Sequence, residues 1–89
     1  TRLAREGAGF DLVFLDPPYA TDPAEVLGLV TRLDAAGQLA PDVIVSYEHD
    51  ATADDLVDDL TAPTCFHVAT RRAWGDTVID LLRRDPDQR

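Results

Sequence analysis

The sequence predicts an α/β fold in which two parallel strands joined by a crossover helix precede a second helix and a closing antiparallel β-hairpin. Two short and densely apolar runs, Phe10–Leu15 and Asp42–Tyr47, flank a stretch with helical periodicity. Runs of this kind are typical of strands that are buried on both faces, as in parallel sheets. A right-handed crossover would lay the helix on one face and bring the second strand beside the first.

The helix between the two strands has clear start and stop signals. Asp22 suits the N-cap, Pro23 suits the first helical position, and Glu25 follows three residues after the cap, as in a capping box. Gly37 marks the end of the helix. Apolar residues at helical spacing predict one buried stripe, formed by Val26, Leu29, Val30 and Leu33.

The flanking segments are assigned from weaker patterns. Residues 1–6 (Thr1 to Glu6), followed by Gly7, are interpreted as the last turns of a helix that glycine ends. A short acidic helix opens at Thr52, and its inward face is predicted to carry Leu56, Val57 and Leu60.

The C-terminal stretch predicts a hairpin. Its strands are residues 64–70 and 77–83, the turn lies in residues 71–76, and a polar tail follows from Asp85.

Composition limits the function classes. The chain has 89 residues, room for at most one small domain, and no apolar run approaches the length of a membrane span. The sequence shows no signal-peptide pattern and has a single cysteine, which excludes an internal disulfide framework and favours a cytoplasmic setting. Its net charge of −9, with 17 acidic residues against eight basic ones, argues against a self-sufficient nucleic-acid binder.

The tetrad Asp16-Pro17-Pro18-Tyr19, which directly follows the Phe10–Leu15 run, is the main candidate site. Proline lacks an N–H and pushes the preceding residue into an extended conformation, so the strand ends in a stiff turn. The carboxyl ends of parallel strands are where ligands bind in open α/β sheets. The Asp16 carboxylate and the Pro17 carbonyl could accept hydrogen bonds from the two N–H groups of a nucleobase amine. This would concentrate the lone pair of the amine nitrogen for attack on a methyl group. Tyr19 could stack on the unstacked base.

Simpler interpretations of the same residues stay open. Asp16 could cap a turn and Tyr19 could cover core. Glu48, at the exit of the second strand, lies on the same predicted edge as Asp16 and is a secondary substrate-binding candidate. His49 beside it is assigned no role. The four aspartates of the acidic helix fall in adjacent pairs without a calcium-loop glycine, so we expect a solvated helix face and no metal site.

The tetrad closely resembles the motif of S-adenosylmethionine-dependent methyltransferases that act on exocyclic amino groups of nucleobases. Together with a strand ending in Tyr47-Glu48 and the hairpin pattern Arg72-x-x-Gly75-Asp76-Thr77, it resembles the RsmD family over most of residues 10–84. That resemblance implies methylation of guanine N2 in small-subunit ribosomal RNA. It also implies catalytic roles for Asp16, Pro17 and Tyr19, with Pro18 stiffening the turn against the substrate. Nothing in the spacing distinguishes guanine in RNA from adenine N6 in DNA.

One departure from the family pattern is prominent. Family members bind S-adenosylmethionine on a glycine-rich loop after their first strand, and no strand of this sequence is followed by a Gly-x-Gly turn. We therefore expect residues 1–89 to be the C-terminal, catalytic portion of a methyltransferase domain, inactive alone, with the cofactor site largely outside it. The Phe10–Leu15 strand would then have a bare edge, and we expect dimerisation or swapping through it.

Two other function classes remain from the sequence. A non-catalytic RNA-binding or assembly module of the same fold could use a basic patch on the hairpin, formed by Arg71, Arg72, Arg83 and Arg84. An unrelated acidic interaction domain, such as a receiver-like fold with Asp16 as a strand-end acid, would be expected to carry a well-placed lysine, and the chain has none. Ribosomal RNA or the small ribosomal particle is the expected partner, and no membrane is expected.

Overall fold

The computed structural model describes residues 2–5, 9–17 and 21–86, of which residues 2–5 are described by their backbone alone. The elements, in chain order, are β1 (Arg2–Arg5), β2 (Phe10–Leu15), α1 (Pro23–Ala35), β3 (Leu39–Asp50), a 3₁₀ turn (Ala51–Ala53), α2 (Asp54–Thr61), β4 (Phe66–Trp74) and β5 (Thr77–Arg84). The strands form one sheet in the order β1-β2-β3-β5-β4. Strands β2 and β3 are parallel, and every other neighbouring pair is antiparallel.

The predicted parallel unit is confirmed. Strands β2 and β3 run side by side with Val13 opposite Val45 and Leu15 opposite Tyr47, and α1 connects them. Strand β3 is longer than the predicted Asp42–Tyr47 at both ends: it begins at Leu39, which is opposite Phe10 of β2, and residues 48–50 continue it and pair with β5. The second strand's exit therefore belongs to the sheet and is held in fixed register.

The prediction for the N-terminus is wrong. The backbone of Arg2–Arg5 forms a strand, not a helix, and pairs antiparallel with β2. As a helix, this segment would have little apolar surface to bury. The edge of β2, in contrast, offers N–H and C=O groups that require partners. The expected bare edge of Phe10–Leu15 is therefore also wrong, because β1 covers it. Dimerisation or swapping stays a prediction, but it no longer follows from a bare β2 edge.

One face of the sheet packs against both helices and holds the core. Alternate residues of the central strands, among them Val13, Val45 and Leu82, are less than 1% exposed on this face. The predicted burial of the parallel strands on both faces is wrong, because no described helix covers the opposite face and Phe14, on that face of β2, is 38% exposed. Helix α1 contributes Val26, Leu27 and Val30 to the core, whereas the predicted stripe residues Leu29 and Leu33 are only partly buried.

Helix α2 packs on the same face through fewer apolar groups. Val57 is completely buried, as predicted, and Leu60 is partly buried against the core. Leu56 is 44% exposed, so its predicted inward orientation is wrong. Thr61 is buried instead, and its hydroxyl donates to the carbonyl of Val57 at 3.0 Å, which satisfies a polar group that would otherwise oppose burial.

The closing hairpin is confirmed, with a tighter turn than predicted. Residues 71–74 belong to β4, and only Gly75 and Asp76 form the turn. The carbonyl of Asp76 accepts a hydrogen bond from the backbone N–H of Ala51 at 2.8 Å, so the turn is tied to the 3₁₀ turn after β3. In the described part of the chain, neither helix has the length and apolar character required to cross a membrane.

Candidate functional site

An open cavity of about 600 Å³ lies at the carboxyl edge of the parallel strands β2 and β3. Its walls come from the end of β2, the start of α1, the end of β3, the 3₁₀ turn and the start of β5. They are formed by Asp16, Pro17, Thr21, Asp22, Pro23, Tyr47, Glu48, His49, Asp50, Thr52, Ala53 and Thr77. A volume in this range suits a small-molecule group such as a nucleobase.

Asp16 is exposed and lines this cavity. It directly follows Leu15, which is 2% exposed, so a buried strand end fixes its position. No described residue forms a hydrogen bond or an ion pair with the Asp16 carboxylate, which leaves its oxygens open to a ligand. Pro17 is half-buried beside it. The catalytic roles of these two residues stay predictions, and Pro18 and Tyr19 lie outside the described residues.

Glu48 and Asp16 meet at the same sheet edge, as predicted. Both line the main cavity and also a smaller one of about 160 Å³ on the opposite sheet face. The smaller cavity is bounded further by Phe14, Leu15, Ser46 and Ile79. Because β3 alternates its side chains between faces, Glu48 belongs to the face opposite to that of Tyr47. Its substrate-binding role stays a prediction.

The start of α1 forms a wall of the main cavity. The Asp22 carboxylate accepts a hydrogen bond from the backbone N–H of Ala24 at 2.9 Å, which confirms the predicted N-cap, and Pro23 occupies the first turn. The cap stabilises the helix start at the cavity wall, where the partial positive charge of the amino terminus offsets some of the surrounding negative charge.

A buried polar network lies beneath the cavity, centred on Asp80 of β5. Asp80 is completely buried, and its Oδ2 lies 2.6 Å from Nε2 of His49, whose side chain is 4% exposed. The Nε of Arg71 donates to Oδ1 of Asp80 at 2.7 Å. The other ring nitrogen of His49, Nδ1, lies 2.8 Å from the carbonyl of Asp50. Both ring nitrogens of His49 are thus engaged within the fold, and neither is available to a substrate.

Arg71 extends the network to α2. It donates to Oδ1 of Asp58 at 3.0 Å, and its Nε lies 3.9 Å from Oδ1 of Asp54. The hydrogen bonds that Arg71 donates to Asp80 raise the pKa of its guanidinium above the usual value, against the opposing effect of its partial burial. The Oδ1 atom of Asp54 is buried and accepts no hydrogen bond from the described residues. Two aspartates of the acidic helix therefore face Arg71, while Asp55 and Asp59 are exposed.

Tyr47 forms the apolar part of the cavity floor. The residue is 1% exposed, and the centroid of its ring lies 4.9 Å from that of His49. Burial raises the pKa of the Tyr47 phenol, and the charges of Asp80 and Asp22 raise it further. Tyr47 is therefore a neutral phenol at physiological pH.

Sequence reasoning missed Asp80 and the network around it. The available signal was an acidic residue at a core-facing position of a strand, between Val78 and Leu82. A carboxylate at such a position requires partners, but the sequence did not indicate which residues of β3 and β4 would supply them. The register, which sets Asp80 opposite both Tyr47 and Arg71, decided that.

The cavity walls are strongly acidic. Asp16, Asp22, Glu48 and Asp50 all contribute, and no arginine lines the cavity among the described residues. Acceptor oxygens of this kind match hydrogen-bond donors such as an amino group, and they repel phosphate groups. The main cavity therefore suits a base edge that is rich in donors and does not suit a phosphate.

The described residues do not form a glycine-rich cofactor loop. Gly9 lies before β2, Gly28 lies inside α1, and Gly37 and Gly75 lie in turns after α1 and β4. None of them follows a strand and opens a helix at the cavity, as nucleotide-type cofactor loops do. The described residues can therefore accept hydrogen bonds from a substrate amine, but they do not by themselves form a binding site for S-adenosylmethionine.

Comparison with known proteins places the chain. The protein family described as Conserved hypothetical protein 95, the RsmD family, matches residues 1–83, most of the sequence. The chain belongs to this family. The resemblance seen in the tetrad and the hairpin is thereby confirmed for the chain as a whole. No curated protein sequence matches the chain.

Solved structures support the same fold. A conserved hypothetical protein of Streptococcus pyogenes is 26% identical, with a TM-score of 0.67, over 88% of this chain and 45% of its own length. The Escherichia coli protein YhhF, provisionally assigned as a methyltransferase, has a TM-score of 0.63 at 20% identity, over 94% of this chain and 42% of its own. A protein of Haemophilus influenzae, provisionally assigned as a methylase, has a TM-score of 0.64 at 21% identity, over 86% of this chain and 44% of its own length. This chain thus spans less than half the length of each of these proteins.

Proposed function

We propose that this chain is the catalytic portion of a methyltransferase that modifies an exocyclic amino group of a nucleobase, with guanine N2 in small-subunit ribosomal RNA as the preferred target. The observation that carries the proposal is the position of Asp16 at the cavity that the ends of β2 and β3 form, where it is exposed and has no partner among the described residues. Family membership supports methyl transfer as the reaction class. We call the longer protein, of which we propose this chain is part, the parent protein.

The acceptors of the tetrad would act by positioning the amine. A base amine is a weak nucleophile because its lone pair is delocalised into the ring. The Asp16 carboxylate and the Pro17 carbonyl would accept hydrogen bonds from its two N–H groups and bring the nitrogen towards tetrahedral geometry. The Tyr19 ring would stack on the base. S-adenosylmethionine, bound largely by residues outside this chain, would supply an electrophilic methyl group.

The acidic cavity supports guanine over adenine as the base. The Watson–Crick edge of guanine carries N1–H beside the N2 amine, so adjacent donors would face the carboxylates of Asp16 and Glu48. Adenine has an acceptor, N1, next to its N6 amine, and a carboxylate would repel it. DNA adenine-N6 methylation is the second candidate, because the tetrad suits either amine.

The test is transfer of labelled methyl groups by the parent protein. We expect incorporation into guanine N2 of RNA in small ribosomal subunits and none into adenine of duplex DNA. The opposite preference would replace the first candidate by the second. An Asp16→Ala variant that methylates as fast as the wild type would favour a non-catalytic RNA-binding or assembly module of this fold over both.

A separate experiment tests whether the binding site for S-adenosylmethionine lies largely outside this chain, as the proposal requires. We expect isothermal titration to detect no tight binding of S-adenosylmethionine to the 89-residue chain, because its described glycines form no cofactor loop. Tight binding would show that the cofactor site lies inside the chain.

A further inference from the structure

The four arginines that the sequence grouped into one basic patch divide into two pairs with different environments. Arg71 and Arg84 are held inside the fold. Arg71 bonds to Asp80 and Asp58, as described above. Arg84 lies 2.9 Å from Oδ1 of Asp34, donates to the carbonyl of Ala40 at 3.2 Å, and stacks on the Phe66 ring.

Arg72 and Arg83 have no such partners. Both are exposed, and neither forms a hydrogen bond or an ion pair with a described residue. Because Arg71 and Arg84 reach into the helix-covered side of the sheet, strand alternation places Arg72 and Arg83 on the opposite face of the hairpin. The hairpin thus carries unpaired positive charge on the sheet face that no described helix covers.

Trp74 lies on the same face as Arg72, two residues along β4. It is the single tryptophan of the chain and is 59% exposed, the most exposed large apolar side chain among the described residues. An aromatic ring and a guanidinium on one face of an exposed strand, two residues apart, suit the binding of single-stranded nucleic acid by stacking and charge neutralisation.

The register connects this surface to the main cavity. Trp74 is opposite Thr77 on β5, and Thr77 is opposite Asp50 on β3. Thr77 and Asp50 both line the cavity. Since neighbouring strands are about 4.8 Å apart, the backbone of Trp74 lies about 10 Å from that of Asp50. A nucleotide chain that placed one base in the cavity could therefore bring a flanking base to Trp74.

The distribution of negative charge agrees with such a path. The acidic helix α2, which includes Asp54 and Asp58, lies on the covered face of the sheet. The acidic cavity itself repels phosphates. Near the hairpin surface, the acidic residues are Asp76 in the turn, Glu48 and Asp50 at the cavity, and Asp85, whose Oδ1 lies 2.7 Å from Nδ1 of His67, the residue opposite Arg83. Arg72 is two residues from Trp74, so it is the first of the two exposed arginines that a strand leaving the cavity past Trp74 would reach.

We propose that Trp74, Arg72 and Arg83 form a docking surface for the single-stranded RNA that flanks the target base. Trp74 would stack on a flanking base, and the two arginines would contact the phosphates on its far side. This inference rests on the proposed function for its choice of RNA, but the surface can be tested without methyl transfer.

The first test uses Trp74 as its own probe. Titrating the chain with single-stranded RNA at low salt should quench the tryptophan fluorescence, because a stacked base would lie against the indole. Absence of quenching by any RNA would overturn the proposal. Quenching by a single-stranded DNA of the same sequence with equal affinity would overturn the restriction to RNA.

Variants then locate the surface. With a fluorescein-labelled single-stranded RNA and anisotropy as the readout, Trp74→Ala should weaken binding about tenfold or more, while Trp74→Phe should retain most of the affinity. Arg72→Gln should weaken binding and reduce the salt slope by about 0.7, the value for one lost phosphate contact. The matched control is Arg32→Gln, which removes an exposed arginine from α1 on the opposite side of the sheet and should change neither quantity. Equal effects of Arg72→Gln and Arg32→Gln would contradict the assignment.

Combining these variants with Asp16→Ala separates the two proposals. If binding persists in Asp16→Ala while methyl transfer by the parent protein is lost, both proposals hold. If the parent protein methylates RNA with no dependence on Trp74 or Arg72, the docking surface is wrong and the proposed function stands. If the surface binds RNA but the parent protein transfers no methyl group to any base, the proposed function is wrong and the surface stands.

Discussion

The Nε2 atom of His49 lies 2.6 Å from Oδ2 of Asp80, and this contact joins the end of β3 to β5 beneath the candidate site. Arg71 bonds the same carboxylate from the other side, so one buried group fixes three strands relative to one another. Because a buried carboxylate is stable only while its partners remain, this network holds the cavity floor in one geometry. Asp80 is thus a structural residue whose loss would affect the candidate site indirectly.

Removing the carboxylate of Asp80 should strongly destabilise the fold. Asp80→Ala would leave the Arg71 guanidinium and the His49 ring partly buried without their main partner, and we expect a loss of about 3–5 kcal/mol in the free energy of unfolding. Urea denaturation measures this loss. The control is Asp59→Ala on the exposed face of α2, which should stay within about 0.5 kcal/mol of the wild type. Equal stability of the two variants would contradict a structural role for the network.

Replacing Asp16 should remove catalysis without removing stability. The carboxylate is exposed and has no described partner, so Asp16→Asn should leave the free energy of unfolding almost unchanged. We expect kcat of the parent protein for methyl transfer to fall by about 10²–10³-fold, as when one preorganised group at a reacting centre is lost. Asp42→Asn, an exposed residue near the start of β3 and far from the carboxyl edge, serves as the control. A kcat equal to that of the wild type would eliminate Asp16 as the acceptor.

Ionisation of Tyr47 should lower stability at alkaline pH. Its folded-state pKa is raised above the usual value of 10.0, first by burial and then by the charges of Asp80 and Asp22. The unfolded chain therefore loses the phenolic proton at lower pH than the folded chain does. The stabilisation is fully present below pH 10 and is lost as pH rises through the folded-state pKa.

Tyr47→Phe provides the comparison for this effect. Urea unfolding measured from pH 8 upwards should show a steeper loss of stability in the wild type than in Tyr47→Phe above about pH 10. A parallel pH dependence of the two proteins would mean that Tyr47 ionises as easily in the folded state as in the unfolded state.

Gly9 should tolerate no side chain. Its φ is +132°, and a Cβ there would lie 3.1 Å from backbone atoms of Gln38, Leu39 and Ala40, which cannot move independently. We expect Gly9→Ala to cost about 3 kcal/mol of unfolding free energy. Gly37→Ala is a suitable control, because Gly37 also has a positive φ, +73°, but a Cβ there would meet no atom within 4 Å. That variant should cost about 1 kcal/mol, and a larger loss for Gly37→Ala than for Gly9→Ala would contradict the steric explanation.

The sequence predicted the elements that depend on local patterns. Asp22 and Pro23 fixed the start of α1, and the apolar runs around Val13 and Val45 identified two buried parallel strands. Capping residues and densely apolar runs leave their signature in consecutive residues, so no knowledge of distant contacts was required to place these elements. The tetrad at the end of β2 was recognisable for the same reason.

The errors fall where long-range pairing decides the outcome. Arg2–Arg5 forms a strand because β2 offers an edge, and no helical pattern within the segment could outweigh that pairing. Leu56 is exposed because the contacts of α2 with its neighbours set the rotation of that short helix, and these contacts face Val57 inward. Local propensity is a weak constraint compared with hydrogen-bond pairing and packing against a sheet.

By itself, then, the sequence determined the order of the elements, the two central strands and the chemical identity of the candidate acceptors, because each of these depends on residues that are adjacent in the sequence. Only the tertiary structure decided which charged groups are free and which are held: Asp16 is open to a ligand, whereas Arg71 and Asp80 are committed to each other. The physical reason is that the cost of burying a charge depends on partners from distant segments, and strand register alone brings those partners together.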